Sequence, residues 1–303
     1  LFPSGYPNPN RSHFRSTEIW ETASGSAEFL GTGWVGRYLD NACAGVPVDS
    51  HDPVAVHLSA GVPQSFLGVQ SHPTFGLAQA GGNRRDSEET RKLLESISGT
   101  SGAPEDNQGF LKQTFMDTLV TEKKVQKVIG DYKPEKAYPG NPFAASLRNV
   151  AALIAAGVPT RVYFVTLSGF DTHTNQINQQ ANLLTTLSEG LAAFQRDLEA
   201  HQLDSQVTTM TFSEFGRRPS ENESRGTDHG TAAPLFVMGS KVKAGLQGTP
   251  ASLDLARNQD ITFSTDFRSV YATALDRWLD CPSEPVLGGK FAALDLLSSP
   301  VRT

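Results

Sequence analysis

The chain has 303 residues, a net charge of -6 at pH 7 and a hydrophobic fraction of 38%. This length and composition predict a folded globular protein with one large α/β domain or two small ones. The acidic balance disfavours a surface for nucleic acid or anionic membranes, which leaves small molecules or neutral polymers as partners. No stretch approaches the roughly 20 apolar residues that cross a bilayer, so no transmembrane segment is predicted. Cys43 and Cys281 lack metal-type spacing, and are either buried thiols or one long-loop disulfide.

Short elements and long loops are predicted for the amino-terminal half. Residues 12–39 indicate short helices with a connecting loop, and residues 54–58 and 66–69 are β-rich runs that predict strands. Glycine-rich stretches and several prolines in residues 80–140 predict an insertion or lid over the core. The sequence contains no internal repeat, so we expect a single domain over residues 1–303.

A strong α/β pattern follows. Asn141 provides an N-cap and Gly157 a stop, so a helix is predicted between them. Residues 162–167 form an almost continuous apolar run, which predicts a strand buried on both faces. Apolar residues at spacings of three and four predict an amphipathic helix over residues 176–200 and another near residues 266–278.

Two of the predicted strands end in polar side chains. Asp171 and His173 come directly after residues 162–167, and Glu214 follows a second predicted strand at residues 207–212. Open α/β sheets bind ligands at the carboxyl ends of their strands, so we expect these three side chains to lie at one edge. Carboxylate and imidazole groups suit Zn, Mn or similar divalent ions, and two ions about 3.5 to 4 Å apart form a hydrolase centre.

A second Asp/His pair precedes a third predicted strand. Asp228 and His229 lie in a glycine-flanked loop before residues 235–238. Either pair alone has an alternative interpretation, because Asp-Thr-His is often a helix cap and Asp-His-Gly is often a turn. The occurrence of both pairs together with Glu214, all after or before apolar strands, favours a metal site.

Four sequence motifs resemble the DUF1501 family. They are GFDTH at 169–173, SEFGR at 213–217, GTDHG at 226–230 and YPNPNRSHF at 6–14. The resemblance covers most of the chain, and this family is grouped with the alkaline phosphatase and sulfatase superfamily. It implies an α/β fold, a three-layer α/β/α sandwich with an alkaline-phosphatase-like core and an inserted helical or loop region. The superfamily link rests on the Asp-His-Gly loop, the strand after it, and Thr265-Asp266 at the start of the last helix.

The resemblance also implies a metal centre that holds one or two divalent ions, with Zn, Mn, Mg or Ca as the candidates. Asp171 and His173 resemble the ligands of one superfamily metal, and Asp228 and His229 resemble those of the other. Glu214 would be a carboxylate that bridges the ions or supports a ligand.

A nucleophile and a substrate-binding set follow from the same resemblance. The superfamily nucleophile is a Ser or Thr at the start of a helix, where backbone amides favour an anion. Ser12 matches this position, and the alternative is that Ser12 is an ordinary N-cap. Arg11, His13 and Arg217 would hold substrate oxygens, the arginines through bidentate hydrogen bonds.

Two departures from the family pattern concern the metal ligands. The family usually begins with a strand and a Gly-Gly-Asn-Asp-Gly-like loop that supplies an acidic ligand, and the present sequence begins after that point, so we expect this ligand to be missing. The last superfamily ligand is often a late histidine, and no histidine follows His229. The family usually carries an export leader, which implies a periplasmic or secreted location.

These features predict a metal-dependent hydrolase of phosphate or sulfate esters that acts on a small-molecule or glycan substrate. The alternative is a non-catalytic extracytoplasmic protein that binds a glycan or a partner on the same fold. A metal-dependent mutase or transferase is a third interpretation. Metal stoichiometry and activity on aryl esters distinguish the first two, and transfer to an acceptor identifies the third.

Overall fold

The computed structural model shows a mixed α/β chain, as predicted from the sequence. It describes residues 2–41, 44–45, 52–77, 121–256 and 258–298. Most of the predicted insertion at residues 80–140 therefore lies outside the described residues. Its last part is helical over residues 121–131 and then turns through a proline-containing segment.

The helices surround several small sheets. They are α1 (His13–Thr22), α2 (Trp34–Leu39), α3 (Pro142–Ala155), α4 (Gln176–Ala200), α5 (Phe267–Thr273) and α6 (Ser283–Leu287). A π-helical turn, Ala274–Trp278, continues α5, and short 3-10 turns occupy Gln64–Phe66 and Asp204–Gln206. No helix within the described ranges is long and apolar enough to cross a membrane.

The strands are short. They are β1 (Phe2–Gly5), β2 (Ala55–Leu58), β3 (Thr74–Gly76), β4 (Val162–Val165), β5 (Thr209–Met210), β6 (Arg217–Glu221), β7 (Thr227–His229), β8 (Ala233–Leu235), β9 (Val237–Met238) and β10 (Thr265–Asp266). Strands β3, β2 and β4 form a parallel sheet in that order, and β1 lies between β10 and β8. Two antiparallel pairs, β5 with β9 and β6 with β7, complete the pairing.

The predicted helices of the second half are confirmed, with the capping expected. The side chain of Asn141 accepts a hydrogen bond from the backbone N–H of Ala144 at 2.9 Å, which satisfies one of the free donors at the start of α3. Gly157 adopts a φ of 67° just beyond its end, a conformation that glycine adopts without strain. Helix α4 spans the predicted residues 176–200.

The parallel sheet has a hydrophobic cluster on each face. Along β4, Val162 and Phe164 pack against one cluster, while Tyr163 and Val165 pack against the other. Alternation along a strand sends successive side chains to opposite faces, so the sheet separates the two clusters. The first cluster contains side chains of α1, α2 and α5, and the second contains side chains of α3 and α4.

Burial identifies β2, rather than β4, as the inner strand. All four residues of β2 are buried, whereas those of β4 are only half-buried. The prediction that residues 162–167 form a strand buried on both faces is confirmed only in part: β4 packs against a cluster on each face, but its side chains are half-buried, and among the described strands it pairs with β2 alone. Each large apolar side chain that is fully buried contributes about 1.5 to 3 kcal/mol to folding.

Three strand predictions need correction. Residues 66–69 are not a strand, because the backbone N–H groups of Val69 and Gln70 donate to the carboxylate of Asp40 at 2.7 and 3.0 Å rather than to a neighbouring strand. The strand predicted at 207–212 is confined to β5, and the strand predicted at 235–238 is divided between β8 and β9.

The predicted glycine-flanked loop that contains Asp228 and His229 is instead strand β7 of a hairpin. His229 is paired in register with Arg217 of β6. The pairing of the hairpin is irregular between Arg217 and Glu221, and the side chains of both Asp228 and His229 approach the ring of His173. Cys281 is buried and disulfide-bonded; Cys43, the only other cysteine of the sequence, lies outside the described residues.

Candidate metal centre

Four distant segments of the chain meet at one site. The start of α1 provides His13, the loop after β4 provides Asp171 and His173, and the β6–β7 hairpin provides His229. Glu214 comes from the segment after β5. The site therefore includes residues from the carboxyl ends of two strands, where ligand sites of α/β proteins are found.

Three imidazoles surround a single carboxylate. We refer to His13, Asp171, His173 and His229 as the imidazole–carboxylate cluster. The Nε2 atoms of His173 and His229 each lie 2.9 Å from Asp171 Oδ1, and Nε2 of His13 lies 3.1 Å from Asp171 Oδ2. His13, Asp171 and His229 each offer a ligand atom within 4.8 Å of the other two.

The outer nitrogen of two of these rings is already bonded. Nδ1 of His13 lies 2.8 Å from Glu214 Oε1, and Nδ1 of His229 lies 2.9 Å from the backbone oxygen of Arg11. A carbonyl oxygen can only accept a hydrogen bond, so Nδ1 of His229 carries a proton. The same arrangement, with the outer nitrogen donating to a carboxylate or carbonyl, is typical of histidines that bind metals.

These hydrogen bonds make the centre of the cluster attractive to a cation. In a neutral imidazole whose Nδ1 is protonated, Nε2 carries a lone pair. Nε2 of His229 then faces a carboxylate oxygen of Asp171, acceptor towards acceptor. Such a contact is favourable only when the ring is protonated or when a cation neutralises both groups. The donor set of two or three nitrogens and a carboxylate oxygen suits Zn²⁺ or a similar ion.

The pKa shifts agree with this charge distribution. The hydrogen bond to Glu214 is the main effect that raises the pKa of His13, and Asp171 adds to it against partial desolvation. Desolvation raises the pKa of Asp171, but a hydrogen bond from the protonated ring of His229, the hydrogen bond from Arg217 and the nearby His173 outweigh it, so the pKa falls well below its usual range. Asp171 is therefore an ionised carboxylate at neutral pH, ready to accept cations.

Arg217 adds a guanidinium at the edge of the cluster. Its Nη1 donates to Asp171 Oδ1 at 2.6 Å, its Nε donates to the hydroxyl of Thr227 at 3.1 Å, and its Nη2 donates to the backbone oxygen of Thr227. The two bonds to Thr227 fix the plane of the guanidinium. A fixed guanidinium beside a possible ion provides hydrogen bonds for the oxygens of an anion.

Ser12 lies between two residues that contact the cluster. Ser12 occupies the N-cap position of α1. All residues of this helix are described, and the Ser12 side chain makes no capping hydrogen bond to them. Its backbone N–H donates to the side chain of Asn10 at 2.8 Å. The alternative that Ser12 serves as an ordinary side-chain cap is therefore not what the structure shows.

Most of the chain matches one described protein family. A family profile described as "Protein of unknown function (DUF1501)" matches residues 3–283. The chain belongs to the DUF1501 family. No curated protein and no solved structure matches it. The family description assigns no activity, so the function has to be inferred from the site.

The DUF1501 motifs do not divide into two separate Asp/His pairs. Asp171 contacts both His173 and His229, whereas Asp228 Oδ1 lies 3.7 Å from Nδ1 of His173, outside the three-residue group. The hydrogen bond from Asn222 is the main effect that lowers the pKa of exposed Asp228. The structure thus groups the predicted ligands around Asp171, with Asp228 at the far side of His173.

Some residues at the site carry roles that the sequence did not indicate. His13, assigned from the resemblance to substrate binding, lies among the candidate ligands. The guanidinium of Arg11 donates to Asp260 at 2.6 Å, and Arg218 Nε donates to the same carboxylate at 3.3 Å. Nothing in the local sequence links Asp260 to either arginine. Asn222 was also not predicted, although its place in a turn after β6 is a typical position for asparagine.

Proposed function

We propose that this DUF1501 protein is a metal-dependent hydrolase of phosphate or sulfate esters. The observation that carries the proposal is the convergence of His13, Asp171 and His229 with their ligand atoms within 4.8 Å of one another. The outer nitrogens of both rings are bonded to Glu214 and to the backbone of Arg11, which leaves the inner nitrogens for an ion.

The fold that we infer is a three-layer α/β/α sandwich with an alkaline-phosphatase-like core. Support comes from the two hydrophobic clusters on opposite faces of the parallel β3-β2-β4 sheet, each of which includes helices. Sheets that are covered on both faces by helices are typical of parallel α/β proteins. The motifs of the sequence are the remaining support for this placement.

The proposed ion would be held by His13, Asp171 and His229, with His173 as a further ligand. Such an ion polarises a phosphoryl or sulfuryl oxygen and lowers the pKa of a bound water or hydroxyl. Nitrogen and oxygen donors together favour Zn²⁺ or Mn²⁺, whereas Ca²⁺ and Mg²⁺ prefer oxygen alone.

Protein groups next to the cluster have the properties that ester hydrolysis needs. Ser12 is the proposed nucleophile, since its hydroxyl is not engaged in capping α1 and it lies between Arg11 and His13. Attack by its oxygen on phosphorus or sulfur would form a Ser12 ester and break the bond to the alkoxide, which would take up the hydroxyl proton and leave as the alcohol. Water would then hydrolyse the Ser12 ester, restoring the hydroxyl and releasing phosphate or sulfate. Arg217 is the proposed donor to the non-bridging oxygens of the ester.

A periplasmic or secreted location is part of the proposal. The disulfide of Cys281 supports it, because disulfides persist in oxidising compartments and are rare in reducing ones. The usual export leader of the family supports it as well.

Ester hydrolysis by the metal-loaded protein tests the proposal. The protein is incubated with Zn²⁺ or Mn²⁺, and alcohol release is measured from p-nitrophenyl phosphate and p-nitrophenyl sulfate. We expect metal-dependent turnover that falls at least about 100-fold in Ser12→Ala. The matched control is Ser188→Ala on the exposed side of α4, which should keep full activity.

The alternative function gives a different result. A protein that binds metal but releases no alcohol from either ester would be a binding protein on the same fold. Transfer of the phosphoryl or sulfuryl group to an added alcohol, without net hydrolysis, would identify a transferase.

A further inference from the structure

The tip of the β6–β7 hairpin docks onto the loop that carries His173. The backbone N–H of Asn175 donates to Ser224 O at 3.0 Å, and the backbone N–H of Gln176 donates to Arg225 O at 2.9 Å. These donors lie at the start of α4, where backbone N–H groups have no partner within the helix. The hairpin tip therefore fixes the place where the His173 loop enters α4.

Asn222 joins the two segments through its side chain. Its Nδ2 donates to the backbone oxygen of His173 at 3.0 Å and to Asp228 Oδ1 at 3.2 Å. Its Oδ1 accepts hydrogen bonds from the backbone N–H groups of Ser224 and Gly226, each at 3.0 Å. One amide thus holds the turn of the hairpin, the backbone of His173 and the carboxylate of Asp228.

Close packing reinforces this junction. A Cβ atom at Gly226 would overlap the carbonyl group of His173 and the nitrogen of Thr174. The hairpin and the loop therefore contact each other backbone to backbone, and a displacement of the hairpin would move His173. Asn222 adds a side-chain link between them on the side of Asp228.

The ring of His173 lies between Asp171 and Asp228. Its Nε2 is 2.9 Å from Asp171 Oδ1, and its Nδ1 is 3.7 Å from Asp228 Oδ1. The first contact places the ring at the candidate ion site, and the second places a carboxylate beside its outer nitrogen. Asn222 contacts both the backbone of His173 and the carboxylate of Asp228, so it restrains both ends of this arrangement.

We propose that Asn222 is a positioning residue that holds His173 and Asp228 in place, so that His173 becomes a ligand of the proposed ion with Asp228 as its outer partner. The proposal rests on the proposed metal site. It assigns Asp228 a role outside the ligand set. Partners that orient a histidine ligand in this way typically change metal affinity by about 10- to 100-fold when they are removed.

Asn222→Asp is the sharpest variant. It keeps the oxygen that accepts from Ser224 and Gly226, so the turn is retained, but it removes the donor to His173 and places a charge beside Asp228. Asn222→Ser is a second, neutral variant, since serine also supports turns but cannot donate to both groups. Asn182→Asp, on the exposed side of α4, makes the same chemical change away from the junction and serves as the control.

Zn²⁺ affinity is measured by chelator competition on the whole chain, and the visible spectrum is recorded after loading with Co²⁺. We expect both Asn222 variants to bind Zn²⁺ at least about 10-fold more weakly and to show an altered Co²⁺ spectrum. Asn182→Asp should match the wild type. The unfolding temperature of the metal-free protein should change little in all three variants.

Each other outcome contradicts the proposal in a distinguishable way. Wild-type affinity and spectrum in both Asn222 variants would overturn the role of Asn222 and leave the metal site intact. A weakened affinity that is matched by an equal loss of stability in the metal-free protein would make Asn222 a structural residue only. If the wild type binds neither Zn²⁺ nor Co²⁺, the proposed function fails as well.

Discussion

Two aspartates in this protein are each surrounded by polar groups, but their environments differ. The side chain of Asp197 on α4 is 0% exposed, whereas that of Asp171 is 43% exposed. Asp197 accepts hydrogen bonds from the hydroxyls of Tyr132 and Tyr138 at 2.7 and 2.9 Å and from the backbone N–H of Glu135 at 2.8 Å. These three donors are neutral, and the ring of His201 lies farther away, with Nδ1 at 3.5 Å from Asp197 Oδ1, so the carboxylate is buried with its oxygens satisfied.

Asp171 has the opposite arrangement. It faces the Nε2 atoms of three imidazoles and the guanidinium of Arg217, and two of those imidazoles already use Nδ1 as a donor elsewhere. Neutral rings of His13 and His229 therefore face Asp171 with lone pairs, and Arg217 faces it as a cation. A carboxylate whose oxygens are satisfied by hydrogen-bond donors is typical of a structural site. A carboxylate that faces potential metal ligands is typical of a functional site.

The largest expected effect on stability comes from replacing Asp197, the structural carboxylate of the two. Asp197→Ala leaves the half-buried hydroxyls of Tyr132 and Tyr138 and the backbone N–H of Glu135 without their partner. We expect the free energy of unfolding to fall by at least about 3 kcal/mol, because each lost hydrogen bond to a charged group contributes about 1.5 to 3 kcal/mol. Urea denaturation of the metal-free protein measures this loss.

Metal binding provides the control for that variant. The folded fraction of Asp197→Ala should keep wild-type Zn²⁺ affinity, because the residue lies outside the cluster. Unchanged stability would show that Asp197 is not the anchor that its contacts indicate.

His229→Ala removes a candidate metal ligand beside Asp171, the functional carboxylate of the two. We expect Zn²⁺ affinity to fall at least about 100-fold, since a ligand is removed, while the unfolding free energy of the metal-free protein changes by less than about 1 kcal/mol. His201→Ala is the matched control, because it removes a histidine that lies near the other aspartate, with Nδ1 at 3.5 Å from Asp197 Oδ1, outside the candidate metal site. Full retention of metal in His229→Ala would remove the basis for the site.

Arg217→Ala distinguishes binding of the metal ion from binding of the substrate anion. We expect inhibition by phosphate or sulfate to weaken about 10-fold, which corresponds to the loss of one or two charge-assisted hydrogen bonds, while the bound metal is retained. Arg196→Ala on the exposed side of α4 is the control. Equal inhibition of Arg217→Ala and the wild type would contradict a substrate-binding role.

The smallest expected effect concerns Asp40, a partly buried carboxylate that is intermediate between the two. Desolvation raises its pKa, but backbone N–H groups of Val69 and Gln70 and the ring of His72 outweigh it, so the net pKa is lowered. A carboxyl whose pKa is lower in the folded state stabilises the protein above its unfolded pKa, and this contribution is lost as the pH falls.

The loss should therefore occur below about pH 4, the ordinary range for aspartate. Thermal unfolding between pH 6 and pH 3 should show a shallower decline for Asp40→Asn than for the wild type. Parallel curves for the two proteins would show that Asp40 makes no net contribution in this range.

Structural features that depend on residues close together in the sequence were predicted better than features that depend on distant residues. The cap at Asn141 and the periodicity of residues 176–200 lie within single segments, and α3 and α4 were predicted with their correct ends. Strand pairing depends on distant residues, so Asp228 and His229 were placed in a loop although they belong to β7.

The composition of the cluster was predictable only in part. The motifs single out Asp171, His173 and His229, because local chemistry distinguishes them. The contact of His13 with Asp171, 158 residues away in sequence, depends on how α1 packs on the rest of the fold. The three donors to Asp197 from residues 132–138 were not predicted either, since this segment carries no periodic pattern that links it to α4.

The metal content of the purified protein is the most direct test of the proposed ion site at Asp171. The protein is incubated with Zn²⁺ or Mn²⁺, separated from free metal by gel filtration, and compared with Asp171→Asn and with Asp40→Asn as the control. We expect about one or two bound ions in the wild type and in Asp40→Asn, and a loss of bound metal in Asp171→Asn. A wild type that retains no metal, or an Asp171→Asn variant that retains as much as the wild type, would contradict it.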